Sequence, residues 1–382
     1  MAVTSRVVLV VTGFLVGGCV DSTWSPGSQE LEPYDVIDGG YDPTLRTDAG
    51  TGGDASVRTD GGTVIPPEQD SDGDGLPDVF ELAANAPALL RADRADTDGD
   101  GTSDADEDPD GDGLTNREEL RAGQVDHLPA GSSPSPVRRD LLVELDCMAD
   151  RCLGELQITA AAEAFAALPL SAVAGHPGVG LHVFHDESGI APQDFDGSFE
   201  QRHAVLSGHG PTSGALAAPG FPRGKLLHVL VATRRTDIEG RGGEAVTDGN
   251  GDVEKTGVLI YHDALSALHP ACGVAGQPDL PDITLDEALS GTFTHELGHL
   301  LQLGHDTDVG GGTNAFNVMS VPGGCAQAQQ RFHGYGNSDE ELGATQALRA
   351  SRFSRAAALL MDFGNKISVD TATLDGDVGR EM

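Results

Sequence analysis

Basic residues are scarce in this chain. Over 382 residues, 23 Lys and Arg stand against 61 Asp and Glu, a formal net charge of −38. That balance excludes nucleic acid as a partner, because phosphate binding needs a basic surface. The sequence also lacks a glycine-rich phosphate loop and a serine-nucleophile elbow, which removes two large classes of chemistry. Cysteine is limited to five residues, none in a C-x-x-C pair, and this argues against a cysteine-built structural zinc site. No apolar run is long enough to span a membrane as a mature helix.

The longest apolar run, Val7 to Val16, follows Arg6 and reads as a secretory signal over residues 1–18. It ends in Val16-Gly17-Gly18-Cys19, which resembles a bacterial lipobox. The resemblance implies cleavage before Cys19 and a lipid on its thiol, so that the membrane is touched only through that anchor. The alternative is an ordinary secreted protein. In an exported chain the remaining Cys147, Cys152, Cys272 and Cys325 predict two disulfides, with three possible connectivities. Cys147–Cys152 with Cys272–Cys325 is the preferred pairing. Residues 19–65 are Gly, Asp, Thr, Ser and Pro with few apolar positions, and read as a disordered tether.

The acidic residues are not spread evenly. Residues 66–119 hold 18 acids and three arginines, a net −15. Within them one register occurs three times. Asp70, Asp72, Asp74, Asp78 and Glu81 stand at loop positions 1, 3, 5, 9 and 12; so do Asp96, Asp98, Asp100, Asp104 and Glu107; so do Asp108, Asp110, Asp112, Asn116 and Glu119. Glycine holds position 6 each time. Hard oxygen ligands at this spacing, with a sharp glycine turn, wrap Ca²⁺. Glu107 runs straight into Asp108, so the second and third loops have no room for a helix between them, unlike paired EF-hands. The segment resembles thrombospondin type-3 calcium repeats, which implies about three structural Ca²⁺ in residues 66–125 and order that depends on the ion. Residues 126–137, rich in Pro and Ser, read as a linker.

The remaining chain centres on Thr294-His295-Glu296-Leu297-Gly298-His299. On a helix, His295 and His299 share one face and reach one metal ion, while Glu296 lies about 100° round, beside them. His305 lies ~9 Å further along a straight helix, so it joins them only if the chain turns sharply after about Leu301. Gly304 offers the φ > 0 freedom for such a turn. Thr284 and Glu287 form a capping box that starts the helix near Leu285.

The spacing of His295, Glu296, His299 and His305, with Met319 in Asn317-Val318-Met319-Ser320, resembles the metzincin zinc peptidases. Gln302 stands where that family has glycine; Asp306 and Asp308 are substitutes for the third ligand should the turn fail. The resemblance implies one catalytic Zn²⁺ on His295, His299 and His305, Glu296 as general base, and Met319 as a hydrophobic floor beneath the metal. Tyr335 is a further candidate for stabilising the transition state.

Short apolar runs at residues 139–146, 180–185, 225–233 and 257–262 read as strands, the last as a shorter edge strand, and residues 154–168 as a helix; the metzincin resemblance implies that such an edge strand lies over the cleft and pairs with extended substrate. The expected fold is α+β, a metzincin-like domain over residues 138–365. It comprises a twisted mixed sheet of about five strands, an active-site helix, a methionine turn and a C-terminal helix, with the calcium module in front and a tail at 366–382. The expected activity is zinc-dependent endopeptidase action on extracellular protein or peptide substrates. Two rivals stand beside it. One takes Glu340 or Glu341 as third zinc ligand; the other is a non-enzymatic calcium-dependent adhesion or scaffold lipoprotein with a degenerate metal site. His182, His185, His203, His209, His228, His262 and His333 lack ligand spacing and are expected to be structural.

Overall fold

The computed structural model describes residues 66–168, 170–173, 175–211, 214–238, 240–246, 257–275, 283–305, 318–319, 353, 361 and 363, with side chains of the 262–275 helix described to residue 268. The signal, tether and tail, Cys19, Asp306, Asp308, Cys325, Tyr335, Glu340, Glu341 and the side chain of Cys272 lie outside these residues, as does the C-terminal helix expected within 339–363.

Two short helices belong to the acidic segment, α1 (Asp78–Ala84) and α2 (Asn116–Gly123). The rest is built on five strands: β1 (Asp140–Met148), β2 (Gly180–Ile190), β3 (Leu227–Ala232), β4 (Gly243–Val246) and β5 (Gly257–Tyr261). Helices α3 (Glu155–Ala166), α4 (Phe199–Gly208), α5 (His262–Ala275) and α6 (Leu285–Leu300) complete it. The sheet is mixed, in the order β2-β1-β3-β5-β4. The first four pair in parallel, and β4 joins β5 antiparallel. Its inner strands are buried throughout, as parallel strands covered on both faces must be.

Alternation along β1 divides the two faces. Leu141, Val143, Leu145 and Cys147 join Leu227, Val229 and Val231 of β3 and pack beneath α3 and α6, through Ile158, Phe165, Phe293, Leu297 and Leu300. Leu142 turns the other way and meets Phe184, Leu226, Phe221 and, from the acidic segment, Leu114 and Ala122. Met148 and Leu230, also on that second face, pack with Phe195, Leu206 and Tyr261 under α4. Cys147 is disulfide-bonded to Cys152, tying the end of β1 to the turn before α3.

Two expectations need correcting. The 257–262 run is not an edge strand: β5 lies between β3 and β4, and the edge is β4. Four residues, Gly-Glu-Ala-Val, give β4 little strand propensity of its own. It is anchored instead by charge, with Arg235 Nη1 2.8 Å and Arg241 Nη1 3.3 Å from Glu244 Oε2, and the Tyr261 hydroxyl donating to Glu244 Oε1. Residues 126–137 do not hang as a linker either. Leu128 bridges to Val183 on the β2 edge, the His127 ring bonds the carbonyls of Val125 and Ser132, and Val137 is buried.

Candidate metal centres

Helix α6 begins as its capping box dictates. The Thr284 hydroxyl accepts the Glu287 amide at 3.2 Å, and the Glu287 carboxylate accepts the Thr284 amide at 2.9 Å. Its last turn closes in a Schellman arrangement. Leu303 N–H donates to the Gly298 carbonyl and Gln302 N–H to that of His299, each at 3.0 Å. The residue that turns left-handed is Gln302, at φ +66°, and Gly304 is not needed for it. Asn and Gly take this position most readily, and a glutamine there costs ~1–2 kcal/mol. Packing supplies compensation: Leu303, just past the turn, is buried with Val318 and Met319.

The turn sends the chain back and brings His305 beside His295 and His299. Their ring centroids are 4.6, 5.4 and 4.9 Å apart, and one nitrogen from each lies within 4.8 Å of the others. Each helical histidine is aimed by a backbone carbonyl. His295 Nδ1 lies 2.6 Å from Val318 O, and His299 Nδ1 2.7 Å from Leu303 O. A carbonyl only accepts, so each Nδ1 carries its proton and each Nε2 bears the lone pair. Those two Nε2 atoms face each other at 3.1 Å. Two lone pairs held so close repel unless a cation lies between them. The separation suits neighbouring ligands of a tetrahedral ion with ~2.0–2.1 Å bonds, which sit about 3.3 Å apart.

Met319 packs against the helix at Gly298. A Cβ placed on Gly298, between the two histidines on the helix, would come within 2.5 Å of Met319 Sδ and 3.1 Å of Phe353. Glu296 is buried against β4: a Cβ on Gly243 would meet its Oε1 at 2.8 Å and Thr292 at 2.8 Å. The edge strand and the carboxylate therefore share one wall of the site.

The three acidic loops are copies in three dimensions as well as in sequence. The first aspartate accepts two glycine amides in each: Asp70 from Gly73 and Gly75, Asp96 from Gly99 and Gly101, Asp108 from Gly111 and Gly113, all at 2.6–3.1 Å. Asp74, Asp100 and Asp112 each accept the amide two residues on, at 2.7 Å. Carboxylate oxygens of Asp70, Asp72 and Asp74 converge within 4.8 Å, as do those of Asp96, Asp98 and Asp100. Sequence reasoning singled out the glycine at position 6; the structure adds Gly73, Gly99 and Gly111 at position 4, all with φ between +73° and +82°.

Position 9 ties each of the first two loops to its own start. Asp78 accepts the Ser71 amide and hydroxyl, and Asp104 those of Thr97. Asn116 donates to Asp104 O and joins the second loop to the third. At position 12, Glu81 and Glu119 are buried, and among the described residues no hydrogen-bond donor reaches their carboxylate oxygens. Burial, then the aspartates around it, pushes Glu81 up to about 8 and Glu107 to about 7; Glu119 is raised for the same reasons, Asp140 of β1 foremost among its neighbours. A cation is what such a cage of carboxylates requires.

Loop three is joined to the sheet. Asp112 Oδ2 accepts the Asp140 amide of β1 at 2.5 Å, and Arg139 Nε donates to Asp110 O at 3.1 Å. Loop one is tied to loop three through Arg117, which reaches Asp74 O at 3.2 Å.

Among known proteins, the bacterial TSP3 repeat family matches residues 70–85 and 108–123. Those two stretches carry the first and third loops. No curated protein matches the chain. Among solved structures, metalloproteinase-II from Bacteroides fragilis is similar at a TM-score of 0.28 and 12% identity, over 55% of this chain and 55% of that one. The chain thus spans about half the length of that protein, and a TM-score of this size does not establish a shared fold.

Proposed function

We propose that the chain is a zinc-dependent endopeptidase that hydrolyses peptide bonds of extracellular proteins, held at a cell envelope through Cys19 and carrying a calcium-stabilised repeat module. The observation that carries this reading is the facing pair of Nε2 atoms on His295 and His299, 3.1 Å apart, with each ring locked from behind by a backbone carbonyl. His305 completes a three-nitrogen set, the donor chemistry of a zinc site that keeps one position open.

When bound there, zinc supplies the Lewis acidity that activates a water and polarises a scissile carbonyl. Glu296, next to His295 on the helix, takes the proton of the attacking water and returns it to the departing amine. Its burial against Gly243 keeps that carboxylate in a dry, low-dielectric wall where a proton transfer is not dissipated into solvent. Val318 and Leu303 act behind the ligands, fixing ring tilt and tautomer. Met319 fills the space under Gly298, next in the chain to Val318, whose carbonyl aims His295. The β4 edge, beside Glu296, is the segment placed to pair with an extended substrate backbone.

The test compares wild type with Glu296→Gln on a mixed peptide library in millimolar calcium. Cleavage by the wild type alone, with equal zinc in both, supports the peptidase. Equal zinc and no cleavage by either favours the scaffold reading, in which the metal site is structural.

A further inference from the structure

The sheet face turned away from α6 carries a buried polar cluster that neither the zinc helix nor the calcium loops use. Glu144 and Asp146 stand two residues apart on β1, and His228 of β3 lies opposite Glu144 in the ladder. All three project between two apolar groups: Leu142, Phe184 and Leu226 on one side, Met148, Leu230 and Ala232 on the other. The two carboxylates are 0% exposed and the imidazole 3%. His228 Nε2 is 3.2 Å from Asp146 Oδ2 and 3.6 Å from Glu144 Oε2. Asp146 Oδ1 is satisfied by the Glu187 amide at 2.9 Å. Among the described residues, neither oxygen of Glu144 accepts a hydrogen bond.

Two carboxylates and one imidazole inside an apolar layer leave negative charge uncompensated, and a buried carboxylate without a donor is costly. A proton or a metal ion resolves the conflict. The ligand separations fit a metal ion, and the 3.2 Å between His228 Nε2 and Asp146 Oδ2 is also a hydrogen-bond distance. Donor atoms around a tetrahedral ion with bonds of ~2.0–2.2 Å lie about 3.3–3.6 Å apart, and the observed 3.2 and 3.6 Å lie near the two ends of that range. His228 Nε2 pairs with Asp146, and at 3.6 Å it is too far from Glu144 Oε2 for a second hydrogen bond. One nitrogen with carboxylate oxygens suits zinc, whereas calcium takes oxygen alone.

We propose that Glu144, Asp146 and His228 form a second zinc site, structural rather than catalytic, which pins β1 to β3 on the face opposite the zinc helix. It sits midway along β1, the strand whose first residue is bonded to the third calcium loop. Its chemistry is independent of the peptidase reading, and so is its test.

The experiment uses the full-length chain carrying His295→Ala and His299→Ala, saturated with millimolar calcium so that zinc does not occupy the acidic loops. Metal analysis after dialysis should find about one zinc per chain, lost when Glu144→Gln or His228→Ala is added. Unchanged zinc in those variants, or none in the parent while circular dichroism shows it folded, overturns the proposal. Should the double histidine variant not fold, wild type serves: about two zinc per chain are expected, and about one after Glu144→Gln, with the X-ray absorption edge region of the lost zinc showing oxygen-rich ligation. Glu144→Gln also separates metal from proton. If a shared proton holds the cluster, the amide replaces it, and zinc content and melting temperature stay level. If zinc holds it, both fall.

Discussion

Gln302 occupies a left-handed turn that a glycine would take freely, and the third histidine depends on that turn. Sequence spacing placed His295, His299 and His305 as one set, but it could not say which residue would reverse the chain. Gly304 was the intrinsic candidate; the Schellman bonds instead fix the reversal two residues earlier, because they follow from where α6 ends. Gln302→Gly removes the backbone strain while leaving those bonds intact. It should stabilise the chain by ~1 kcal/mol, raising the melting temperature by ~2–4 °C, with zinc content unchanged. A drop in either would mean that the glutamine side chain, and not the turn alone, holds His305. Position 9 of the acidic loops teaches the same lesson at residue scale. Asp78 and Asp104 have ligand-type side chains at ligand-type spacing, yet amide and hydroxyl donors of the same loop claim them. Ligand chemistry is legible in sequence, but competition for a carboxylate by nearby donors is not.

Helix α6 is the most legible element, because its capping box and its histidine spacing both point to a helix over the same residues. What sequence did not reveal is how close its neighbours come. Gly298 and Gly243 are ordinary glycines in the sequence; in space each is the point where a second segment touches the helix, Met319 at one and β4 at the other. Gly298→Ala therefore pits two effects against each other. Alanine favours the helix by ~1 kcal/mol, whereas overpacking against Met319 Sδ costs ~1–3 kcal/mol. Overpacking should win, because the contact is with a side chain already buried in its own cluster. The Val318 carbonyl that aims His295 moves with Met319, so zinc affinity should fall by about tenfold or more, the scale seen when a ligand loses its supporting partner. Competition with a chromogenic chelator reads this directly. An alanine variant with wild-type zinc affinity would show that Met319 is not coupled to His295. The edge strand was missed for a related reason. β4 has four residues and little apolar character, and it is anchored by guanidinium groups around Glu244, those of Arg241 and Arg235 just ahead of it in the chain, whose convergence on one carboxylate only the fold reveals.

At the scale of the whole molecule, the calcium module and the sheet make one structure. The composition of residues 66–125 marked a separate acidic unit, and nothing in it signalled that Leu114 and Ala122 would pack on Leu142 and Phe184. Nor did it signal that Asp112 would accept the first amide of β1. Since loop three contacts the sheet and loop two does not share those bonds, the loops should differ in reach. Asp108→Ala should lower the melting temperature of the whole chain, whereas Asp96→Ala should act mainly on the module, with calcium-dependent calorimetry separating the two. The pH dependence has a definite sign. In the folded module Glu81 is raised to about 8 from an ordinary 4.5. Between those values the folded state holds more protons than the unfolded one, so without calcium stability is retained at low pH and lost as pH rises through the window. Calcium replaces those protons. Its affinity should therefore climb from pH 5 to pH 8, and the melting temperature in chelator should fall over the same range. A module that in chelator melts higher at pH 8 than at pH 5 would mean that Glu81 and Glu107 are not held among the aspartates.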